Sequence, residues 1–148
     1  MSALRFVDTD ILLYAISTAA EESSKAEIAV GLLESDDLAL SVQVLQEFYV
    51  QATRSGKLDR IRHDQASALI ESWLRFPVQE TSVTLLLAAL NARDRYRLSY
   101  WDAAVVEAAR LLGCREILTE DLSHGSEYGG IRIVNPFRPR SPSSENPA

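Results

Sequence analysis

The stretch Leu4-Arg5-Phe6-Val7-Asp8-Thr9-Asp10 sets an apolar run directly against two carboxylates one residue apart. Residues 4–7 have the length and character of a short buried strand. Asp8 then falls at the carboxyl end of that strand. In open α/β sheets this edge, beside the first strand, is where ligands bind. A local alternative needs no ligand, since an aspartate here also caps the short helix suggested by residues 11–16.

Working outward, apolar runs of strand length alternate with runs of helix length. Residues 24–34 read as a helix with Ala26, Ala29, Val30 and Leu33 on one face. Residues 38–40 form a second strand, and Ser41 caps a helix over 42–55 that stops at Gly56. Residues 63–76 make an amphipathic helix ended by Pro77, and 78–80 a short third strand. Residues 83–95 and 101–112 are apolar almost all round, the pattern of buried helices. The fourth and fifth strands fall at 115–119 and 131–134. This alternation predicts an α/β fold of parallel βαβ units, with about five strands covered on both faces. One domain is expected over residues 1–135. Four of the five prolines lie in 136–148 beside three serines, so that end is expected to be a disordered tail.

Composition narrows the function. A chain of 148 residues suits a single domain with its own core. The lone Cys114 excludes an internal disulfide and reads as a small buried thiol. His63 and His124 are the only histidines, and neither has an evident link to it, which argues against a catalytic cysteine. Asp8 and Asp10 interrupt the apolar stretch 6–16, so it is not a secretory signal, and the apolar run 85–90 is too short to span a membrane. A cytoplasmic protein is the expectation. The net charge of −6 argues against broad electrostatic binding of nucleic acid. The cations, however, are almost all arginines; Lys25 and Lys57 are the only lysines. Arginine suits bidentate phosphate contact. The groups Arg54, Lys57, Arg60, Arg62 and Arg93, Arg95, Arg97 stand out, although a solvated surface explains each alone.

Four acids carry the chemical signal: Asp8, Glu47, Asp102 and Asp121. Each has a bland explanation. Asp8 is a helix cap. Glu47 points away from the stripe Val42, Leu45, Tyr49 and Ala52, as a solvated glutamate would. Ser99-Tyr100-Trp101-Asp102 fits a capping box before an apolar run. Thr119-Glu120-Asp121 is a polar turn after a strand, and His124 a loop residue. Yet a parallel fold brings these positions to one sheet edge. Carboxylates gathered there repel each other and resist desolvation unless a cation neutralises them. The set therefore points to a divalent-metal site.

The order of these segments resembles the PIN-domain family, and in particular its VapC-type toxins of bacterial toxin–antitoxin pairs. The matching stretches are Phe6 to Ala15, Ser41 to Tyr49, Leu98 to Ala104 and Ile117 to Gly125. The resemblance runs from about Leu4 to Val134. It implies a three-layer α/β/α fold and an endoribonuclease dependent on Mg²⁺ or Mn²⁺. It maps the metal-binding acids onto Asp8, Glu47, Asp102 and Asp121, with Thr9 and Thr119 as supporting polar groups. Of these, Asp8 and Asp102 are assigned as central ligands, and Glu47 and Asp121 as water-positioning or second-site groups. Asp10 departs from the family pattern, which has Asn there. The resemblance also implies an antitoxin that blocks the cleft, with an inserted arginine as its natural contact, and a homodimer.

Two rivals remain at this point. Asp8-Thr9-Asp10 after a strand also fits a haloacid-dehalogenase-type phosphatase with Asp8 as nucleophile, which calls for a later lysine; no Lys follows Lys57. A non-catalytic PIN-like module that binds RNA or a partner is the second. It has no use for mutually repelling acids.

Overall fold

The computed structural model describes residues 3–139. Six strands form one sheet in the order β3-β2-β1-β4-β6-β5. The strands are β1 (Arg5–Val7), β2 (Leu38–Ser41), β3 (Val78–Gln79), β4 (Glu116–Leu118), β5 (Glu127–Tyr128) and β6 (Ile131–Val134). All pairs are parallel except β5 with β6. The central strands β1, β2 and β4 are short and buried on both faces, so they read as apolar runs, while β6 towards the edge alternates buried and exposed residues. Phe6, Val7, Leu38, Leu40, Ile117 and Ile133 lie at the heart of the core.

The order places the topological switch at β1. The chain moves outward through β2 and β3, then returns to the other side of β1 as β4. The crevice of a doubly wound sheet opens at such a point. Asp8 leaves β1 there, and its N–H still donates to the Leu118 carbonyl of β4 at 3.1 Å.

The helices are α1 (Thr9–Ala15), α2 (Ser23–Leu33), α3 (Val42–Ala52), α4 (His63–Trp73), α5 (Val83–Tyr96) and α6 (Tyr100–Leu111). α6 packs across β2, β3, β4 and β6, while α1 packs on α2 and α3. Residues 103–109 of α6 are all buried, as its all-round apolar character predicts. Glu107 is among them. Arg110 grips its carboxylate and also donates to the Tyr128 and Gly129 carbonyls.

Several boundaries differ from expectation, each for a physical reason. α5 is not a buried helix. It lies outside α6, burying Leu85, Ala89 and Ala92 and leaving Val83, Leu86, Leu87 and Leu90 exposed. An apolar periodicity on every side cannot say whether both sides are covered within one chain. α3 ends at Ala52, because the Thr53 hydroxyl turns back to the Tyr49 carbonyl at 2.7 Å. Gly56, at φ +89°, serves the following turn instead. α4 ends at Trp73, one turn before Pro77. β5 is an added strand, made by the tight turn Gly129-Gly130 with both φ values positive.

Phe137 packs against the core and meets Tyr14 edge-on at 5.0 Å. The rest of the expected tail, residues 140–148, lies outside the described residues. No helix among the described residues is long and apolar enough to cross a membrane.

Candidate functional site

The site is assembled at the carboxyl edge of β1 and β4. Asp8 adopts extended backbone (φ −81°, ψ 165°) and caps α1, accepting from the Thr9 N–H at 2.8 Å. The capping explanation is therefore correct, and it is compatible with a second role. The other Asp8 oxygen accepts from the Thr119 hydroxyl at 2.9 Å. Thr119 follows β4 and is fully buried, so β1 and β4 are stapled where the acids emerge.

Asp10 sits in the first turn of α1. Its Oδ2 accepts the Glu120 N–H at 2.8 Å, which holds the loop after β4. The Thr119 hydroxyl is 3.4 Å from the same oxygen, but its single proton is better placed for Asp8. Asp10 Oδ1 is buried with no hydrogen-bond partner. An amide at this position would carry a donor; the carboxylate can only accept.

Glu47 does not point into solvent. It lies one turn into α3, half-buried, and accepts from the Thr9 hydroxyl at 2.9 Å and from Gln43 Nε2 at 3.1 Å. The structure buries Val44, Leu45, Phe48 and Ala52 of α3, and the flank beside them, with Gln43, Glu47 and Gln51, looks into the crevice. Asp102 stands in the first turn of α6, whose N-cap is Ser99. The Ser99 hydroxyl accepts the Asp102 N–H at 3.1 Å, but the Asp102 carboxylate makes no return bond to Ser99. Half the capping box forms, and the carboxylate faces the crevice. Asp121 is exposed, with its N–H donated to the Thr119 hydroxyl at 3.0 Å.

These side chains line one cavity of about 820 Å³, which holds Asp8, Asp10, Glu47, Asp102, Glu120 and Asp121. Their electrostatics report the crowding. Asp8 is raised from 3.8 to about 7, first by burial and next by the charge of Asp10. Asp10 is raised to about 6, again mainly by burial, with Asp121 and Glu120 adding to it. Asp121 is raised by burial and by Asp102, Glu120 and Glu47. Glu120 differs. Burial pushes it up, but hydrogen bonds from Lys25 and Tyr14 outweigh that and hold it low.

Sequence reasoning passed over Glu120, Gln43, Lys25 and Tyr14. Lys25 Nζ donates to Glu120 at 2.8 Å and sits over the Tyr14 ring, while the Tyr14 hydroxyl bonds Glu120. No local pattern joins positions 14, 25 and 120; only the α1–α2 packing does. Gln43 was readable, since it precedes Glu47 by one turn of the same helix. His124 accepts the Asn135 N–H, and His63 meets Tyr49; neither lines the cavity. Burial pushes the Cys114 thiol up to about 11, which makes it inert.

Among the described residues, no three His, Cys, Asp or Glu side chains already stand as a ready-made metal-holding group. The donor set nonetheless fits a hard divalent cation. It is all oxygen, it is overcharged, and Asp10 Oδ1 is a buried acceptor with nothing to accept. Two Asp8 hydrogen bonds leave lone pairs on both oxygens.

The PIN-domain family model matches residues 5–124, which include every residue of this cluster. The chain belongs to the PIN-domain family. Solved structures agree on the fold. A toxin–antitoxin complex from Klebsiella pneumoniae superposes with a TM-score of 0.65 at 22% identity, covering 92% of this chain and 98% of that one. A sarcin–ricin loop cleaving VapC toxin of Mycobacterium tuberculosis gives 0.58 at 20% identity, covering 79% and 89%. DNA-bound VapBC from Salmonella typhimurium gives 0.60 at 17%, covering 89% and 97%. A search of curated proteins returned no sequence match. The PIN assignment fixes the three-layer α/β/α architecture. It also removes the basis for the phosphatase rival, whose lysine is missing as well: Lys25 is held by Glu120 and Lys57 by Asp59.

Proposed function

We propose that this PIN domain is a divalent-metal-dependent endoribonuclease and the toxin of a toxin–antitoxin pair. The observation that carries the reading is the gathering of Asp8, Asp10, Glu47, Asp102 and Asp121 in one cavity, with Asp8 and Asp10 raised to about 7 and 6. A non-catalytic module gains nothing from that repulsion. The similarity to toxin–antitoxin structures supports the choice of RNA as substrate and of an antitoxin as partner.

Asp8 and Asp102 are the central ligands for Mg²⁺, or for Mn²⁺, since both take carboxylate and water oxygens. Such a cation, when bound, neutralises charge on the phosphate and makes a water acidic enough to attack it. Everything else falls to the chain. Thr9 fixes Glu47 and Thr119 fixes Asp8, so two acids from different elements keep their orientation. Glu47 and Asp121, which feel each other's charge across the cavity, would position the water. Ser99 occupies the Asp102 N–H and leaves its carboxylate free. Asp10 holds the loop that carries Glu120 and Asp121.

The partners follow from the same charge. An antitoxin arginine inserted among these acids would form charge-assisted bonds with them and block the cleft. The exposed apolar face of α5 is the surface proposed for a second copy of the chain. The cytoplasm is the proposed site of action, with RNA as substrate. The test is cleavage of RNA by purified protein with Mg²⁺ or Mn²⁺. EDTA and Asp8→Asn should each abolish it. Equal cleavage by wild type and variant would remove the assignment, and a phosphorylated Asp8 would restore the phosphatase.

A further inference from the structure

Trp101 stands on the wall of the acid-lined cavity, next to Asp102, and is 63% exposed. The other tryptophan, Trp73, is buried at 4% and packs edge-on against Phe48. Exposing a large aromatic ring costs stability, and the fold does not leave it loose. Tyr100 braces the Trp101 ring edge-on at 5.0 Å and 80°. The Trp101 carbonyl lies 3.5 Å from Gln43 Nε2, the same amide that donates to Glu47. Tyr100 thus props the ring itself, while the Gln43 contact ties the backbone that carries it to the side chain that also bonds Glu47.

The cavity's charge explains what such a ring is for. Nine carboxylates and one ammonium line it, and Asp59 holds that ammonium, so apart from a cation at the acids the walls give the rest of the RNA backbone no electrostatic grip. A substrate drawn to the acids needs a contact that does not depend on charge. Stacking of a nucleobase on an aromatic face supplies one, and it works for any base because every base has a π-face. Tyr14 cannot do this, since Lys25 covers its ring and Phe137 meets its edge.

We propose that Trp101 is the stacking platform for the base beside the scissile phosphate. The inference rests on the ribonuclease reading above. A paired base cannot leave its stack without added cost, which makes Trp101 a selector for loops and single strands.

The test uses the full-length chain and two readouts. The first is cleavage of a short single-stranded RNA and of the same RNA with abasic riboses flanking the cut. Trp101→Ala should lower kcat/KM on the intact RNA by about tenfold to a hundredfold. Trp101→Phe should retain most of the activity, and on the abasic RNA the Ala variant should match wild type. The second readout is tryptophan emission of the uncleaving Asp8→Asn protein. Single-stranded RNA should quench it, hairpin-paired RNA should quench it less, and Trp101→Phe in the same background should abolish the response. Equal losses on intact and abasic RNA would overturn the proposal. So would emission that ignores RNA but changes with protein concentration, which would assign Trp101 to contact between copies. If the wild type cleaves no RNA, the ribonuclease reading fails, while the quenching titration still decides whether Trp101 stacks.

Discussion

Asp8 and Asp10 set the electrostatic tension of the site. The folded protein holds Asp8 at about 7, against an ordinary 3.8. Between those values the folded state binds more protons than the unfolded one. The stability linked to this group is therefore fully present below pH 3.8 and is lost as pH rises from there through about 7. In EDTA, the melting temperature should fall from pH 5 to 7.5, by the equivalent of about 2–4 kcal/mol. Asp37 and Asp59 are held low by Arg5 and Lys57, so they stay ionised across that window. Asp8→Asn should flatten the fall and raise stability at pH 7.5. Asp10→Asn should do part of the same, because the Asp10 charge ranks after burial among the forces raising Asp8. A melting curve for Asp8→Asn as steep in pH as the wild type would contradict this. At this scale the sequence was legible where an acid met a strand end. It was misleading at Glu47, because turning away from the core stripe means solvent on most helices but means the crevice on a helix that leaves β2, the strand beside the switch point. Asp10 Oδ1 was invisible, since an orphaned oxygen depends on where its neighbours' protons go.

Helices and strands were readable from period and punctuation, and their ends were not. Thr53 ends α3 by bonding backwards, a choice that depends on the rest of the turn. The strand β5 has a signal that was passed over: Gly129-Gly130 between Tyr128 and Ile131 is a two-residue hairpin turn with left-handed backbone. Gly129 is further constrained. A Cβ there would sit 2.7 Å from the Tyr96 hydroxyl and 3.0 Å from Arg110 Nη1. Arg110 is not free to withdraw, because it also holds Glu107 and the Gly129 carbonyl. Gly129→Ala should therefore destabilise the protein by about 1–3 kcal/mol in urea titration. Gly125, also at positive φ but in open space, is the control and should lose less on the same substitution. Equal losses at both positions would mean that backbone conformation, and not the Tyr96–Arg110 contact, decides.

The molecule as a whole presents an acid crevice at one sheet edge and an apolar face on α5. The first was legible because topology follows from alternation, and topology collects strand ends. The second was not, because the sequence of α5 reads the same whether a neighbour in the chain or a second copy covers it. Leu87, 60% exposed, and Leu90, 51% exposed, are the residues to change. On the proposed contact between copies through α5, Leu87→Glu with Leu90→Glu should lower the sedimentation coefficient while leaving the circular dichroism unchanged. An unaltered sedimentation coefficient would place the dimer contact elsewhere or exclude one. The proposed hydrolysis of RNA by water in the crevice is read from the ends of its products. No histidine lines the cavity to drive attack by the ribose 2′-hydroxyl. Cleavage with Mg²⁺ or Mn²⁺ should therefore leave 5′-phosphate and 3′-hydroxyl termini. It should also proceed when the ribose before the cut lacks its 2′-hydroxyl. Cyclic 2′,3′-phosphate ends, or cleavage that persists in EDTA, would contradict the account.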